Sequence, residues 1–356
     1  MPYGGFKQII PLLLASLLFS TNGCTTDINL TSSDRTKQSL NTDNRLDVVK
    51  ERGSLICGVN GQLPGFSSVD SQGNYSGIDV DLCRAVASAL FDDPNAVEFR
   101  DLNAEERFAA IQSGEVDLLS RNTTWTLSRD AVDGMDFTPI TFYDGQGLLV
   151  AEDSEIENLE DLDRKSICVA SGTTSEQNLA EQMQKRGLSY TPVVVENTDL
   201  LYSTYEQGDC EIATGDRSQL ISLRATLKNP EQHQVLNLVL SKEPLSLVVA
   251  DGQPEWFDVV KWVTYATIKA EELGINSQNI DRLSRTKNPQ IKRFLGIEGS
   301  LGQNMGLSPD FAKRVVTQVG NYEEIYDRNI GQPYGLPRGA NALWKNGGLM
   351  YSPPFR

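Results

Sequence analysis

Polar and charged residues follow several short apolar runs that the sequence predicts to be buried strands. Arg129 belongs to the densest polar stretch of the chain, residues 120–130. Its planar guanidinium suits a carboxylate because it can donate two parallel, charge-assisted hydrogen bonds. Asp216 follows another apolar run, and a buried carboxylate there could hold an ammonium group if the two charges were paired. The two side chains could therefore hold the two charged ends of one small zwitterion.

Two further strand ends add hydrogen-bonding groups. Thr173 and Glu176 have the spacing of a capping box, which predicts that a helix begins near Ser175. A helix N-terminus offers free N–H groups and the positive end of the helix dipole, so it also suits a carboxylate. Asn60 follows the first predicted strand and can present an amide. Taken singly, each segment is equally typical of a turn, a structural cap or a solvated loop, and only their combination at one sheet edge indicates a binding site.

The composition excludes several kinds of chemistry. Lys and Arg number 32 against 48 Asp and Glu, and the resulting formal charge of -16 repels phosphate backbones, so nucleic-acid binding is not expected. The one histidine, His233, lies in a polar segment that predicts an exposed loop without a catalytic role. A site built from several histidines is impossible, and we expect neither a metal nor a cofactor.

The order of the predicted elements indicates an α/β fold with parallel sheets. Strands are predicted at residues 54–59, 116–119, 165–170 and 210–213, and helices at residues 78–90 and 104–112, from about Ser175, and through Leu201 and Tyr205. The helix-to-strand passages at residues 113–117 and 207–211 echo each other. This repetition indicates two similar lobes.

Two extended crossings, at residues 142–150 and 238–249, are predicted to join the lobes and to act as a hinge. The chain then divides into lobe 1, formed by residues 45–144 and 244–356, and lobe 2, formed by residues 145–243. The second part of lobe 1 is predicted to begin with a mostly helical extension. A tail rich in Gly and Pro follows and is expected to pack on lobe 1 through apolar anchors: Leu343, Trp344, Leu349, Met350 and Tyr351.

The N-terminal residues have the pattern of a secretion signal. Lys7 precedes an apolar run at residues 9–19, which is too short to span a bilayer as a mature helix. The sequence predicts a signal peptide at residues 1–23 and a flexible tether at residues 24–44. Cys24 stands directly after the signal, so lipidation of Cys24 and ordinary cleavage nearby both stay open.

The four remaining cysteines fall into one pair in each half of the chain. Pairing Cys57 with Cys83 and Cys168 with Cys210 would give each lobe one disulfide. Each would be worth roughly 3–4 kcal/mol through loop-closure entropy in an oxidising compartment. Because sequence cannot fix connectivity, four buried thiols are the alternative.

Four short motifs stand out: GIDVDLC at residues 77–83, LSRNTTWTLSR at 119–129, SGTT at 171–174 and NALWKNGGL at 341–349. They resemble the solute-binding subunits of polar amino-acid ABC importers, and most closely the general L-amino-acid binding proteins. The second motif is nearly diagnostic of that general branch, and the likeness extends over about residues 44–356. The resemblance implies a periplasmic type II solute-binding fold. In this fold two lobes, each with a mainly parallel sheet flanked by helices, are joined by two hinge strands and close around a ligand.

The resemblance also assigns roles to residues of the site. Arg129 matches the arginine that holds the α-carboxylate of the ligand, and Asp216 matches the acid that binds its α-ammonium. Asn122, Thr124 and Thr174 match residues that help to hold the carboxylate. By this resemblance, the two charged ends of a free amino acid would be held from opposite lobes.

Other positions bear on the choice of ligand side chain. Asn60 stands where relatives that bind basic amino acids have an acid, which argues against dedicated specificity for lysine, arginine or histidine. Candidates for the side-chain pocket are Leu63, Phe66, Trp125 and Tyr143. As apolar or aromatic residues, they are equally consistent with the core.

The implied function is extracytoplasmic capture of free L-amino acids, of broad specificity, and their delivery to permease subunits by hinge closure. The chain has no Gly-Lys-Ser/Thr phosphate loop, so a separate ATPase subunit is expected. We expect a monomer in the periplasm or cell envelope, attached to the membrane only if Cys24 carries a lipid, and no enzymatic activity. The alternatives are a small-acid dehydratase-type enzyme and a ligand-sensing protein on the same fold.

Overall fold

The computed structural model describes residues 44–131 and 133–356. The predicted signal peptide, Cys24 and the predicted tether up to residue 43 lie outside the described residues. The strands are β1 (Leu55–Val59), β2 (Gln62–Leu63), β3 (Ser67–Val69), β4 (Tyr75–Ser76), β5 (Val97–Asp101), β6 (Leu118–Thr124), β7 (Met135–Asp144), β8 (Gln146–Ala151), β9 (Ser166–Ala170), β10 (Thr191–Val195), β11 (Ile212–Asp216), β12 (His233–Val235) and β13 (Glu243–Ala250). The α-helices are α1 (Arg45–Arg52), α2 (Ile78–Phe91), α3 (Glu106–Ser113), α4 (Leu127–Ala131), α5 (Thr174–Arg186), α6 (Thr198–Glu206), α7 (Arg217–Arg224), α8 (Pro254–Glu272), α9 (Pro289–Phe294), α10 (Leu301–Asn304), α11 (Phe311–Gln318), α12 (Tyr322–Tyr326) and α13 (Gln332–Tyr334).

Two five-stranded sheets form the framework of the described part. The first defines lobe 1 and has the order β5-β1-β6-β13-β7, and the second defines lobe 2 and has the order β10-β9-β11-β8-β12. In each sheet three neighbouring strands run parallel, and an antiparallel strand, β13 or β8, lies beside the third. A smaller antiparallel sheet contains β2, β3 and β4. The predicted α/β architecture with two sheets is confirmed.

The chain passes between the two sheets twice. β7 ends at Asp144 and β8 begins at Gln146, so Gly145 alone forms the first passage. The second passage runs from the end of β12 at Val235 to the start of β13 at Glu243. Glu243 lies opposite Asp144 in the register of the sheet. The two passages therefore enter lobe 1 side by side.

Apolar helix faces cover both sheets, as the spacing of apolar residues in the sequence requires. In lobe 1, Trp256 of α8 is fully buried, and its indole N–H donates to the carbonyl oxygen of Asp117 at 2.7 Å. In lobe 2, Leu179 and Met183 of α5 pack against Ile167 of β9. Among the described residues, no helix has both the length and the apolar character needed to cross a bilayer.

Both predicted disulfides are present. The bond between Cys57 and Cys83 joins β1 to α2 in lobe 1, and the bond between Cys168 and Cys210 joins β9 to the residues before β11 in lobe 2. Because each bond closes within one lobe, neither restricts a movement of one lobe against the other.

The strand predicted at residues 116–119 differs most from what the structure shows. β6 begins at Leu118 and continues to Thr124, through residues that the sequence pattern assigned to a loop. Its second half pairs with the antiparallel strand β13, and this ladder satisfies the backbone of a stretch with polar side chains. Asn122 and Thr124 therefore stand on a strand, which fixes their side chains more firmly than a loop would.

The prediction that His233 lies in an exposed loop was wrong. This residue begins β12 and is half-buried, because β12 pairs with β8 at the edge of the lobe 2 sheet. Its ring Nδ1 lies 2.9 Å from the hydroxyl of Tyr205. Its role in the structure is to pack against α6.

The tail packs through fewer of its apolar residues than the sequence indicates. Leu343 and Met350 are buried, whereas the other three predicted anchors are more than half exposed: Trp344, Leu349 and Tyr351. Phe355 is buried instead, with its ring centroid 5.3 Å from that of Trp262 on α8. The last residues of the chain thus lie against the helical part of lobe 1.

Candidate functional site

A polar cavity lies between the two lobes, near the carboxyl ends of β1, β6, β9 and β11. In parallel sheets the connections at this edge leave a crevice, and the residues that follow each strand face it. Lobe 1 contributes Asn60, Arg107, Arg121, Asn122 and Thr124 to its lining, and lobe 2 contributes Thr174, Asn197, Thr198, Asp216 and Gln219.

Side chains predicted from the sequence meet across this cavity. Asn122 Nδ2 donates to Asp216 Oδ2 at 3.2 Å, and the hydroxyl oxygens of Thr124 and Thr174 are 3.4 Å apart. In each pair the first residue stands on β6 of lobe 1, and the second belongs to lobe 2. Asn60 lines the same cavity from the end of β1. The structure thus brings polar groups from four strand ends into one place.

The backbone of Asn122 is strained. Its φ of 35° lies in the left-handed region, which costs a residue other than glycine about 1–3 kcal/mol. The Asn122 N–H donates to Asp79 Oδ2 at 2.9 Å, and Asp79 Oδ1 accepts from the Ser120 hydroxyl at 3.2 Å. Burial raises the pKa of Asp79 to about 7, although both hydrogen bonds act in the opposite direction. These contacts hold the strained backbone and direct the Asn122 amide towards Asp216.

Asp216 is a buried carboxylate in a negative environment. It ends β11, and burial raises its pKa well above the ordinary value. The nearby charges of Asp144 and Glu243 raise this pKa further, while the hydrogen bond from Asn122 and the charge of Arg107 lower it. Asp216 accepts only that one hydrogen bond from side chains of the described residues. A cation placed beside it would offset both the burial and the repulsion.

Arg129 does not line the cavity, but it is hydrogen-bonded to Thr124, which does. It lies on α4, is 7% exposed, and donates from Nη1 to the carbonyl oxygen of Thr124 at 2.9 Å. Its guanidinium carbon is 5.2 Å from the ring centroid of Phe108. Burial lowers the pKa of Arg129, and the charges of Glu243 and Asp216 act against that shift.

Glu243 is part of the site although the sequence pattern did not indicate it. Its carboxylate is buried and accepts hydrogen bonds from the hydroxyls of Thr124 at 2.7 Å and Thr174 at 2.8 Å. Asn178 Nδ2 donates to the same side chain at 2.8 Å, and the Ser241 hydroxyl also donates to it. Glu243 therefore links lobe 1 to α5 of lobe 2. In the sequence it was one polar residue in an extended crossing, without any sign of burial.

Two further arginines belong to the site. Arg107 lies on α3 and Arg121 on β6, and both are buried. Arg121 stands within the polar stretch of the sequence that contains Asn122 and Thr124, so its neighbourhood could have indicated it. Arg107 lies in a helical stretch with several charged residues, where a solvated face is the ordinary expectation.

The four candidates for the side-chain pocket do not reach the cavity. Leu63 and Phe66 are fully buried in the lobe 1 core, where the Phe66 ring packs edge-on against Phe142 with centroids 5.1 Å apart. Trp125 and Tyr143 line a separate groove next to the tail. Trp125 is partly exposed, and its ring stacks on that of Phe137 with centroids 5.8 Å apart.

The predicted helix start is present at α5. Thr173 Oγ1 accepts from the Glu176 N–H at 3.2 Å, and the helix begins at Thr174. The second hydrogen bond of the predicted capping box, from the Thr173 N–H to the Glu176 carboxylate, is replaced. The Glu176 carboxylate instead accepts from the Gly172 N–H at 3.1 Å. Thr174 therefore lies in the first turn of a 13-residue helix, where the dipole favours an anion.

The chain is similar to known bacterial binding proteins. The model of the bacterial extracellular solute-binding proteins, family 3, matches residues 55–280. The chain is 50% identical to the general L-amino acid-binding periplasmic protein AapJ of Rhizobium johnstonii, over 87% of this chain and 92% of that protein. It is 46% identical to the glutamate/glutamine/aspartate/asparagine-binding protein BztA of Rhodobacter capsulatus, over 87% of this chain and 93% of that protein.

A solved structure is similar over nearly the same range. It is an ABC transporter periplasmic binding protein from Brucella ovis with glutathione bound, with 46% sequence identity and a TM-score of 0.86. The match covers 88% of this chain and 99% of that chain. Together, these likenesses confirm the resemblance found in the motifs and the predicted type II periplasmic binding fold.

Proposed function

Because the chain belongs to family 3 of the bacterial extracellular solute-binding proteins, we propose that it captures free L-amino acids and delivers them to an ABC importer. One relative is named as a general L-amino acid-binding protein and another as binding four different amino acids, which supports broad specificity. The observation that carries the proposal is the meeting of Asn122 and Thr124 of lobe 1 with Asp216 and Thr174 of lobe 2 at one polar cavity.

The α-ammonium is assigned to Asp216. Three buried carboxylates are available at or near the cavity: Asp79, Asp216 and Glu243. Asp79 already accepts from the Ser120 hydroxyl and from the Asn122 N–H. Glu243 already accepts from four side chains, so its lone pairs are occupied. Among side chains of the described residues, Asp216 accepts from Asn122 alone. Burial and the charges of Asp144 and Glu243 raise its pKa more than the Asn122 hydrogen bond and the charge of Arg107 lower it. An ammonium group would be stabilised there by charge-assisted hydrogen bonds.

The α-carboxylate is assigned to Arg129 and the two threonine hydroxyls. Each hydroxyl has one proton to donate, and those of Thr124 and Thr174 now go to Glu243. A ligand carboxylate that accepts these protons therefore competes with Glu243. Arg129 lies next to Thr124 and supplies the positive charge that favours the ligand in this exchange.

A ligand held in this way contacts both lobes, so it stabilises the closed arrangement by the contacts it makes only there. The two adjacent passages between the sheets are the natural place for the hinge. Opening would separate Asn122 from Asp216 and would break the bonds from Glu243 to Thr174 and Asn178.

We further propose that the protein works as a monomer in the periplasm or cell envelope, with permease subunits and a separate ATPase as partners. The periplasmic relatives support this location. We propose no enzymatic activity, since the relatives are named as binding proteins. Intact-mass analysis of protein extracted from membranes would decide whether Cys24 carries a lipid.

A ligand screen tests the proposal directly. Purified protein would be heated with each of the common amino acids, and with sugars and short peptides, while its unfolding is monitored. A bound ligand raises Tm by mass action, so several free amino acids should raise it and sugars should not. Arg129→Ala and Asp216→Ala should abolish the rise. Stabilisation by sugars or peptides, but by no free amino acid, would contradict the proposal.

A further inference from the structure

Three buried arginines lie at or beside the cavity, and none is part of an ion pair among the described residues. Arg107, Arg121 and Arg129 are 3%, 6% and 7% exposed. No carboxylate oxygen of the described part lies within 4.0 Å of these guanidinium groups. A buried charge without a partner is costly, so this arrangement calls for anionic groups from outside the chain.

Arg107 is the least satisfied of the three. Its Nη1 is 3.4 Å from Thr123 Oγ1, which is a long hydrogen bond, and its Nε has no acceptor in the described part of the chain. Arg121 and Arg129 each donate one hydrogen bond of 2.9 Å to a backbone carbonyl. Burial lowers the pKa of Arg107 well below its usual value, and the charges of Arg121 and Arg129 lower it further, while the charge of Asp216 acts against these three effects. An anion beside Arg107 would offset all three effects.

One ligand carboxylate cannot satisfy three guanidinium groups. In the bidentate geometry its two oxygens pair with a single arginine, and the α-carboxylate is already assigned to Arg129. The acid nearest to Arg121 is also occupied, because Asp79 accepts from Ser120 and from the Asn122 N–H. On the basis of the proposed function, we infer that Arg107 forms a second anion subsite, which takes the side-chain carboxylate of an acidic amino acid.

The cavity that Arg107 lines continues into a second polar pocket. A pocket of about 130 Å³ adjoins the cavity and shares four lining residues with it: Asn60, Arg121, Asn197 and Thr198. The other lining residues of this pocket are Gln62, Asp101, Leu102 and Asn103. The Asp101 carboxylate repels an anion placed deep in this pocket, so the side-chain carboxylate is placed at Arg107, which lines the cavity and not the pocket. A polar wall of this kind favours a side chain with hydrogen-bonding groups over an aliphatic one.

The test compares L-glutamate with L-glutamine, which have nearly the same shape and differ in the charge at the end of the side chain. Isothermal titration calorimetry would give Kd for both ligands with wild-type protein, Arg107→Gln and Arg107→Lys. Arg107→Gln should weaken glutamate binding by roughly 10- to 100-fold, because one charge-assisted hydrogen bond or more is lost. Glutamine binding should change by less than about threefold, within the range of a neutral contact. The Kd of Arg107→Lys for glutamate should lie between those of the wild type and Arg107→Gln, since lysine keeps the charge but not the planar guanidinium.

Arg100→Gln is the matched control, because Arg100 is exposed on β5 of the same lobe, and both affinities should stay at the wild-type value. Equal weakening of both ligands in Arg107→Gln, or no change in either, would overturn the second subsite while leaving the proposed function standing. Failure of the wild-type protein to bind any free amino acid would overturn both. If Arg107→Gln does not fold, as judged by circular dichroism, Arg107→Lys decides alone: an unchanged ratio of the two Kd values would refute the subsite.

Discussion

Replacing Asp216 by asparagine should weaken ligand binding and stabilise the ligand-free protein at the same time. Asparagine keeps the size of the side chain and can still accept the hydrogen bond from Asn122, but it cannot pair with an ammonium group. The loss of a charge-assisted hydrogen bond costs about 1.5–3 kcal/mol, which is roughly a 10- to 150-fold increase in Kd.

The opposite effect on stability follows from the sign of the pKa shift. Burial raises the pKa of Asp216, and the charges of Asp144 and Glu243 raise it further. A carboxylate whose pKa is higher in the folded state stabilises the fold at low pH and loses that contribution as the pH rises through the folded value. At pH 7.5 the neutral amide of the Asp216→Asn variant would avoid this penalty, so the variant should have a higher Tm than the wild type. At pH 4 the difference should shrink.

Calorimetric titration with L-glutamine and thermal unfolding without ligand would measure both quantities. Asp209→Asn is the control, since Asp209 is exposed in the same lobe and its replacement should change neither. An unchanged Kd would refute the assignment of Asp216 to the ammonium group. A higher Kd together with a lower Tm would show that Asp216 stabilises the fold. That result would refute the reasoning from repulsion among the carboxylates.

Three other predictions concern the two passages between the lobes. Glu243→Ala removes the hydrogen bonds to Thr174 and Asn178 of lobe 2, so the ligand-free protein should open. Small-angle X-ray scattering should then show a larger radius of gyration than for the wild type. An unchanged radius would contradict the role of Glu243 in holding the lobes together. Burial raises the pKa of Asp144 to about 6, so the stability of the wild type relative to Asp144→Asn should fall between pH 4 and pH 7. The pKa of Asp144 lies about two pH units above its ordinary value, which corresponds to about 3 kcal/mol of unfolding free energy. Urea unfolding of both proteins at pH 4 and pH 7 measures this change, and the same free-energy difference at both pH values would contradict the prediction. Gly145→Ala would place a Cβ 2.6 Å from a methyl group of Val239 and 2.9 Å from the carbonyl oxygen of Ser241. In urea unfolding it should lower the unfolding free energy by about 1–3 kcal/mol. Gly147→Ala is the control and should lower it by less, because the nearest atom to its Cβ would be 3.3 Å away.

Most of the framework could be predicted because buried parallel strands have short apolar sequences. β1 and β9 were placed within a residue of their observed bounds, and the grouping of the cysteines into one pair in each half of the chain suggested both disulfides. β6 shows the limit of this reasoning. Its second half is made of amide and hydroxyl side chains, which look like a loop until a neighbouring strand from a distant part of the chain pairs with it.

The site was predictable where a residue follows a strand and not where it depends on packing between distant segments. Asn60, Thr174 and Asp216 follow strand ends, and the edge of the sheet brings them together. Glu243 and Arg107 gave no such signal. Glu243 is buried because β13 returns beside β7. Arg107 lines the cavity because α3, a helix of lobe 1, lies next to lobe 2.

The charges around the cavity are separated by sign, and this separation gives the ligand a direction. The three buried arginines belong to α3, β6 and α4 of lobe 1, while Asp216 ends a strand of lobe 2 and Asp144 and Glu243 mark the passages between the lobes. A zwitterion in this field is favoured with its carboxylate towards lobe 1 and its ammonium towards lobe 2. In that orientation it neutralises charges on both sides only when the lobes are close together. We therefore expect a zwitterion to stabilise the closed arrangement more than an uncharged molecule of the same size, which would leave the cost of burying unpaired charges in place.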